Sequence, residues 1–155
     1  PASESVLTGP MWRGIVLVGL VMAAGTLLVL DASMTGGFID GSGDLPYAQT
    51  MAFTTLVLFQ MFNVFNARSD VTSAFRNLFS NPWLWAATIV SVVLQVAVVY
   101  VPVLQRAFGT VPLTFFDWLR CAVAASSVLW IREATKLATW LFSRPVHAAR
   151  SAGTV

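Results

Sequence analysis

Four carboxamide side chains in one apolar stretch are the residues of this sequence best suited to binding an ion. Gln60, Asn63 and Asn66 follow one another at steps of three residues, and Gln49 precedes Gln60 by eleven. On an α-helix Gln49, Gln60 and Asn63 share one face, whereas Asn66 is turned about 120° away from Gln60. Amide oxygens are hard donors that suit Ca²⁺, Na⁺ and similar cations. Gln60 and Asn63 are therefore candidate cation ligands, and hydrogen bonding to a neighbouring helix is the alternative role.

Other polar and small residues have spacings typical of helix packing. Thr88, Ser91 and Gln95 fall on one helical face, which indicates contact with another helix. Small residues four positions apart allow two helices to approach closely. Two such pairs occur, Gly19 with Ala23 and Ala122 with Ser126.

The segment after residue 113 contains the pattern of a capping box. Thr114 supplies a hydroxyl and Asp117, three residues later, supplies a carboxylate. Arg120 follows Asp117 by one helical turn, so a local ion pair or the cap itself explains these charges better than a proton relay. A helix is therefore predicted to begin near residue 115.

No catalytic centre and no cofactor site is predicted in this chain. The sequence has no G-x-x-x-x-G-K-[ST] phosphate loop, no H-E-x-x-H pair and no C-x-x-C pair. Its single histidine, His147, has no nearby partner ligand, and its single cysteine, Cys121, suits a packing role. The Asp40–Asp44 run resembles the start of a calcium loop, but its twelfth position is Met51 instead of an acid.

These residues lie in a chain whose composition is typical of a membrane protein. Of its 155 residues, 57% are hydrophobic and only 10% are charged. Residues 14–30, 45–67 and 77–105 contain no Asp, Glu, Lys or Arg, and residues 118–131 contain only Arg120. A membrane-crossing helix needs roughly 20 mostly apolar residues. The sequence therefore predicts an all-α fold, an integral membrane four-helix bundle in a single domain.

Glycine, proline and charged residues set the limits of the four predicted spans. We expect spans at about residues 11–30, 47–66, 83–105 and 115–131, with the last helix continuing to about 142. Pro102 falls in the last turn of the third span and is expected to kink or end it. Residues 143–155 are expected to be a disordered tail.

The basic residues predict how the bundle is oriented. Seven fall at one side of the predicted membrane and only Arg106 lies in a connection on the other. The seven are Arg13, Arg68, Arg76, Arg132, Lys136, Arg144 and Arg150. Because cytoplasmic segments are enriched in Lys and Arg, both termini are predicted to be cytoplasmic. Charges at the ends of spans, and not in one patch, also argue against nucleic-acid binding.

The second span carries a pattern that identifies a family resemblance. Residues 47–69 include the run F-Q-x-F-N-x-x-N-A-R-S from Phe59 to Ser69. The segment resembles the eighth transmembrane helix of P-type cation-transporting ATPases, in particular the calcium-pump-like branch and its bacterial relatives. Residues 95–102, 104–113 and 117–119 resemble the ninth helix, the following outer loop and the start of the tenth. The likeness covers residues 7–140.

The resemblance implies that this chain is the C-terminal membrane support module of an ATP-driven Ca²⁺ pump in a bacterial plasma membrane. The phosphorylated aspartate of the family lies in a D-K-T-G-T motif that this chain does not contain. ATP and Mg²⁺ would be used by the parent pump, so the chain has no enzymatic centre of its own. Its implied partners are the remaining transmembrane helices, the cytoplasmic domains, the transported cation and the bilayer.

One residue role also follows from the resemblance. Gln60 stands where two-site calcium pumps have a glutamate, which implies a ligand or near-ligand without charge and leaves Na⁺ or Mn²⁺ open as the cation. Asn63 is the implied weaker partner.

Two alternatives remain open at the level of the sequence. The chain could be a free-standing four-helix membrane protein that acts as a binding or assembly factor without transport activity. It could also self-associate into a small channel or carrier, although no ring of charges or carbonyl filter is evident.

Overall fold

The computed structural model describes residues 9–39, 41–69 and 82–142 of the chain. These residues form five helices, α1 to α5 in chain order, and the prediction of an all-α fold is confirmed for them. The helices are α1 (Gly9–Ser33), α2 (Leu45–Ser69), α3 (Pro82–Tyr100), α4 (Pro102–Phe108) and α5 (Phe115–Phe142). The predicted tail at 143–155, the linker at 70–81, Asp40 and His147 lie outside the described residues.

Three long helices, α1, α2 and α5, build the core. At one level Val18 and Met22 of α1 contact Phe59 of α2 and Ala125 and Val128 of α5. Phe59 is fully buried in this cluster. Val29, later in α1, packs instead with Met51 and Cys121, which lie earlier in α2 and α5, so both helices run antiparallel to α1.

A second cluster joins the same helices at the opposite level. Met51 of α2 and Cys121 of α5 pack with Val99 of α3 and Leu113 of the α4–α5 connection. Residues 34–44 and 109–114 connect helices at this level, and we call it the loop end of the bundle. We call the opposite level, where α1 and α3 begin and α2 and α5 end, the terminal end.

The α1 backbone at Gly25 lies close to the Phe59 side chain of α2. A methyl group placed on Gly25 would come within 2.6 Å of Cζ of Phe59, so the phenyl ring rests directly on the α1 backbone. The predicted approach at Gly19 and Ala23 is wrong within the described helices, because both residues are exposed and a Cβ on Gly19 would meet nothing within 4 Å. An apolar helix has no polar side to show which of its faces meets protein.

The helix α3 lies beside α2 and contacts it mainly near the loop end. Only Gln95 and Val99 of α3 are buried. The third predicted span, 83–105, is split: α3 ends at Tyr100, Val101 is extended (φ −83°, ψ 120°), and Pro102 occupies the first turn of α4. Proline has no amide proton and restricts the preceding residue to extended conformations. The sequence predicted a kink or an end at this residue, and the structure shows an end.

The connection between α4 and α5 is held by hydrogen bonds to the neighbouring helices. Thr110 Oγ1 donates to Val98 O at 2.6 Å, and Tyr100 Oη donates to Leu113 O at 2.7 Å. The Val111 amide donates to Thr50 Oγ1 at 3.0 Å. These bonds satisfy backbone groups that would otherwise face a poorly hydrated region.

The predicted capping box is confirmed. The Thr114 amide donates to Asp117 Oδ2 at 2.8 Å, and the Asp117 amide donates to Thr114 Oγ1 at 3.3 Å. Asp117 Oδ1 also accepts a 2.7 Å bond from Tyr47 Oη and lies 3.7 Å from Arg120 Nη1. The carboxylate is therefore only 6% exposed while it ties the starts of α2 and α5 together.

The outward faces of the helices are largely apolar. Within the described residues, α1 over Trp12–Ser33 and α3 over Pro82–Tyr100 are long and apolar enough to cross a membrane. Such a surface suits lipid or further helices better than water. The exposed apolar side chains include Leu20, Leu27, Ile89, Val93, Val123 and Trp130.

Candidate cation site

Gln60 lies on the outward side of α2 and away from the core. Phe59, the preceding residue, points fully into the core, whereas Gln60 is exposed together with Leu56 and Val64, each one turn away. Among the described residues, no hydrogen bond is formed by the Gln60 carboxamide. The Asn63 side chain is half-buried and likewise forms none there.

A groove of about 180 Å³ separates this face of α2 from the first half of α3. Gln60 lines it on one side, and Thr88 and Ser91 line it on the other. The remaining lining residues are apolar: Val57, Met61, Val64, Leu84 and Ala87. The groove has room for several water molecules of about 30 Å³ each.

The two hydroxyls across the groove are already used as donors. Thr88 Oγ1 donates to Leu84 O and Ser91 Oγ donates to Ala87 O, each at 2.9 Å. A hydroxyl that donates to its own helix keeps oxygen lone pairs for a second partner. The groove therefore presents an amide oxygen on one wall and two hydroxyl oxygens on the other, all neutral.

The hydrogen bond that joins α2 to α3 is made elsewhere. Gln95 Nε2 donates to Thr54 Oγ1 at 3.0 Å, and both side chains are buried. Of the predicted stripe Thr88, Ser91 and Gln95, only Gln95 makes this contact. This bond lies about two turns nearer the loop end than Gln60 and does not involve it.

Gln49 is separated from this groove. Gln49 is exposed at the loop end and lines a different cavity, of about 220 Å³, with Phe53, Phe108 and Thr110. The Asn66 side chain lies outside the described residues. Of the two predicted ligands, only Gln60 lines the groove; Asn63, three residues later on α2, is not among its lining residues.

The candidate site is not a complete cation site by itself. Calcium takes roughly 6–8 oxygen ligands, usually with several carboxylates. In the parts of the chain that the structure describes, no group of three or more His, Cys, Asp or Glu side chains could hold a metal ion. A cation at Gln60 would need most of its ligands and all of its neutralising charge from outside these residues.

One polar cluster at the loop end was only partly foreseen. The Thr114–Asp117–Arg120 spacing indicated the cap, but the bond from Tyr47, 70 residues earlier, carries no local signal in the sequence. A cavity of about 660 Å³ adjoins this cluster and is lined by Tyr47, Arg120 and Ser33 among others. The polar groups of the cluster bind one another and hold the starts of α2 and α5 together.

The described residues form an all-α arrangement with a largely apolar exterior, and neutral oxygen groups of α2 and α3 line one groove. A family model described as cation transporting ATPase, C-terminus, matches residues 1–138. The chain therefore belongs to the C-terminal family of cation-transporting ATPases, and the resemblance seen in the sequence is confirmed.

Calcium-transporting ATPases are among the proteins similar to this chain. Calcium-transporting ATPase 1 of Yarrowia lipolytica is 36% identical over 137 residues, which cover 88% of this chain and 14% of the yeast protein. The calcium-transporting ATPase of Bacillus subtilis is 46% identical over 76 residues, 49% of this chain and 8% of the relative. Human calcium-transporting ATPase type 2C member 1 is 33% identical over 134 residues, 86% of this chain and 14% of the relative. The chain thus spans a small part of the length of these relatives.

Proposed function

We propose that this chain is the C-terminal membrane support module of an ATP-driven Ca²⁺ pump and that Gln60 supplies a side chain to the ion path. The observation that carries the second part is the exposed Gln60 carboxamide without a hydrogen-bond partner among the described residues. A carboxamide in hydrocarbon costs several kcal/mol when unpaired, on the order of 2–7. The face of α2 that carries Gln60 is therefore covered by further protein or by a hydrated ion path.

The core arrangement supports the first part of the proposal. Phe59 of α2 packs against Gly25 of α1, and Ala125 and Val128 of α5 pack in the same cluster. This rigid three-helix core holds the Gln60 face of α2 at a fixed angle, which is what a support module contributes to an ion path. Calcium is the proposed cargo because the relatives above are named as calcium-transporting ATPases.

We also propose that α1, α2, α3 and α5 cross the bilayer with both chain termini in the cytoplasm. The antiparallel order of α1, α2 and α3 and the excess of basic residues that the sequence predicts on one side of the membrane support this topology. The membrane would be the plasma membrane of a bacterium, which the relative in Bacillus subtilis supports. The remaining transmembrane helices and the cytoplasmic domains that handle ATP and Mg²⁺ would be its partners.

The ion-path role is tested by Gln60→Ala in the full-length pump, with cation-dependent phosphorylation by ATP as the measurement. Removing one neutral oxygen ligand should cost about 1–3 kcal/mol, which lowers the apparent cation affinity by about 5- to 150-fold. Gln60→Glu should restore binding and strengthen it, because a carboxylate adds charge to the same position.

Gln49→Ala is the matched control, since it removes the same side chain from the same helix at a separate cavity. It should leave the cation affinity unchanged. Equal affinities for wild type and Gln60→Ala would show that Gln60 only fills space. Equal losses for Gln49→Ala and Gln60→Ala would show a general effect on α2 and would also reject the ion-path role.

A further inference from the structure

The connection between α1 and α2 exposes two large apolar residues at its tip. Phe38 is 103% exposed and Ile39 is 52% exposed, although both lie in a loop that is otherwise rich in glycine and polar residues. Isolated exposed apolar residues are ordinary, but an adjacent pair in one loop suggests a binding surface.

The loop folds back on the end of α1. The Phe38 amide donates to Asp31 Oδ1 at 3.0 Å, and the Ile39 amide donates to Asp31 Oδ2 at 2.9 Å. Because Asp31 belongs to the last turn of α1, these two bonds bring the tip back to the level at which α1 ends. Gly37 permits the turn, since a Cβ there would lie 2.6 Å from Asp31 O and 2.7 Å from its Oδ1.

The base of the loop is closed by its own hydrogen bonds. The Thr35 amide donates to Gly43 O at 3.0 Å, and the Gly43 amide donates to Ser33 O at 3.1 Å. The Gly41 amide donates to Met34 O at 3.1 Å. With these amides and those of Phe38 and Ile39 bonded, much of the loop backbone can lie next to a weakly hydrated medium at a reduced cost.

The tip continues an apolar stripe of α1. Leu20, Leu27 and Leu28 are 64%, 63% and 58% exposed. Leu27 and Leu28 lie one turn before Asp31 on the same side of the helix. The helical rise from Trp12 to Asp31 is about 28 Å, close to the thickness of the hydrocarbon core. In the proposed topology, Asp31 and the loop tip bonded to it therefore lie at the boundary between hydrocarbon and headgroups.

We propose that Phe38 and Ile39 insert into the lipid bilayer at this boundary and anchor the loop end of α1. The partner is the lipid of the leaflet opposite the cytoplasm. Asp31 positions the two residues by binding their amides, so its carboxylate is satisfied by the loop. This inference rests on the proposed membrane topology.

The test replaces Phe38 with the photoreactive analogue p-benzoylphenylalanine in the full-length protein, reconstituted in vesicles of phosphatidylcholine and phosphatidylglycerol. After irradiation, mass spectrometry identifies what each labelled peptide has captured. The same analogue at Leu27 reports on the α1 stripe. The same analogue at Ser42, an exposed residue of the same loop, is the matched control.

The expected result is a phospholipid adduct at position 38 and none at position 42. An adduct of position 38 with polypeptide, or no adduct there, would overturn the anchor. If Leu27 captures lipid or protein while position 38 captures nothing, only the anchor fails. If neither position captures anything, the topology fails as well. Lipid adducts of equal yield at 38 and 42 would show unselective capture and also overturn the anchor.

Discussion

The contact between Gly25 and Phe59 predicts that adding one methyl group at Gly25 will destabilise the core. A Cβ at this position would lie 2.6 Å from Cζ and 2.9 Å from Cε2 of Phe59. Since real carbon contacts are near 3.5–4.0 Å, the ring or the helix must move by about 1 Å. Phe59 is fully buried in the core cluster, so its ring cannot move out into solvent.

The magnitude follows from a comparison with Gly19→Ala on the same helix. Overfilling a packed core costs about 1–3 kcal/mol, and replacing glycine by alanine in a helix contributes about 1 kcal/mol of stability. Both glycines lie within α1, so both variants receive this helical gain. Only Gly25→Ala adds a clash, since a Cβ on Gly19 would meet nothing within 4 Å. Gly25→Ala should therefore be less stable than Gly19→Ala by about 1–3 kcal/mol.

The assay is the rate at which Cys121 is alkylated, read at the level of its peptide by mass spectrometry. Cys121 is fully buried in the adjoining cluster, so it reacts only when the bundle opens. Gly25→Ala should react about 5- to 150-fold faster than Gly19→Ala when opening is a rapid equilibrium. The difference should largely vanish in a Phe59→Leu background, where the distal ring atoms are absent. Equal rates for the two glycine variants, or a difference that survives Phe59→Leu, would refute the contact.

Three further predictions concern the helix ends and the α2–α3 contact. Thr114→Ala removes the hydroxyl of the cap and should destabilise the start of α5 by about 1 kcal/mol. The measurement is amide hydrogen exchange at Asp117, which should be faster in Thr114→Ala and unchanged in Thr114→Ser. A double-mutant cycle of Gln95→Ala and Thr54→Ala should give a coupling of about 0.6 kcal/mol in thermal unfolding in detergent, and zero coupling would deny the bond. Gly109→Ala places a side chain at φ 67° and should lower stability by about 1 kcal/mol in the same measurement, whereas an unchanged melting temperature would contradict that backbone geometry.

Local features of the fold could be predicted from the sequence because their causes are local. Thr114 and Asp117 are three residues apart, and that spacing alone specifies a cap that the structure confirms. Pro102 lacks an amide proton, and the break before α4 follows from that property. Gln95, a carboxamide in an apolar span, correctly indicated an inter-helix contact.

The faces of the helices could not be predicted in the same way. Along α1 nearly every residue is apolar, and hydropathy does not separate a face against lipid from a face against protein. Gly19 and Gly25 are the same residue, yet only Gly25 meets a neighbouring helix. The partner of Gln60 stays a prediction as well. The sequence pattern shows that a polar side chain in an apolar helix needs a hydrogen-bond partner, but it does not identify the group that supplies it.

The place of α5 in the core has a consequence for biosynthesis. Phe59 can contact Val18 and Met22 as soon as α1 and α2 are inserted, but Ala125 and Val128 arrive only when α5, which is synthesised after both, is inserted. Until then the phenyl ring lacks its α5 neighbours, so the nascent chain passes through a stage at which quality-control proteases can recognise an incomplete core. A premature stop codon before residue 115 would hold the chain at that stage permanently.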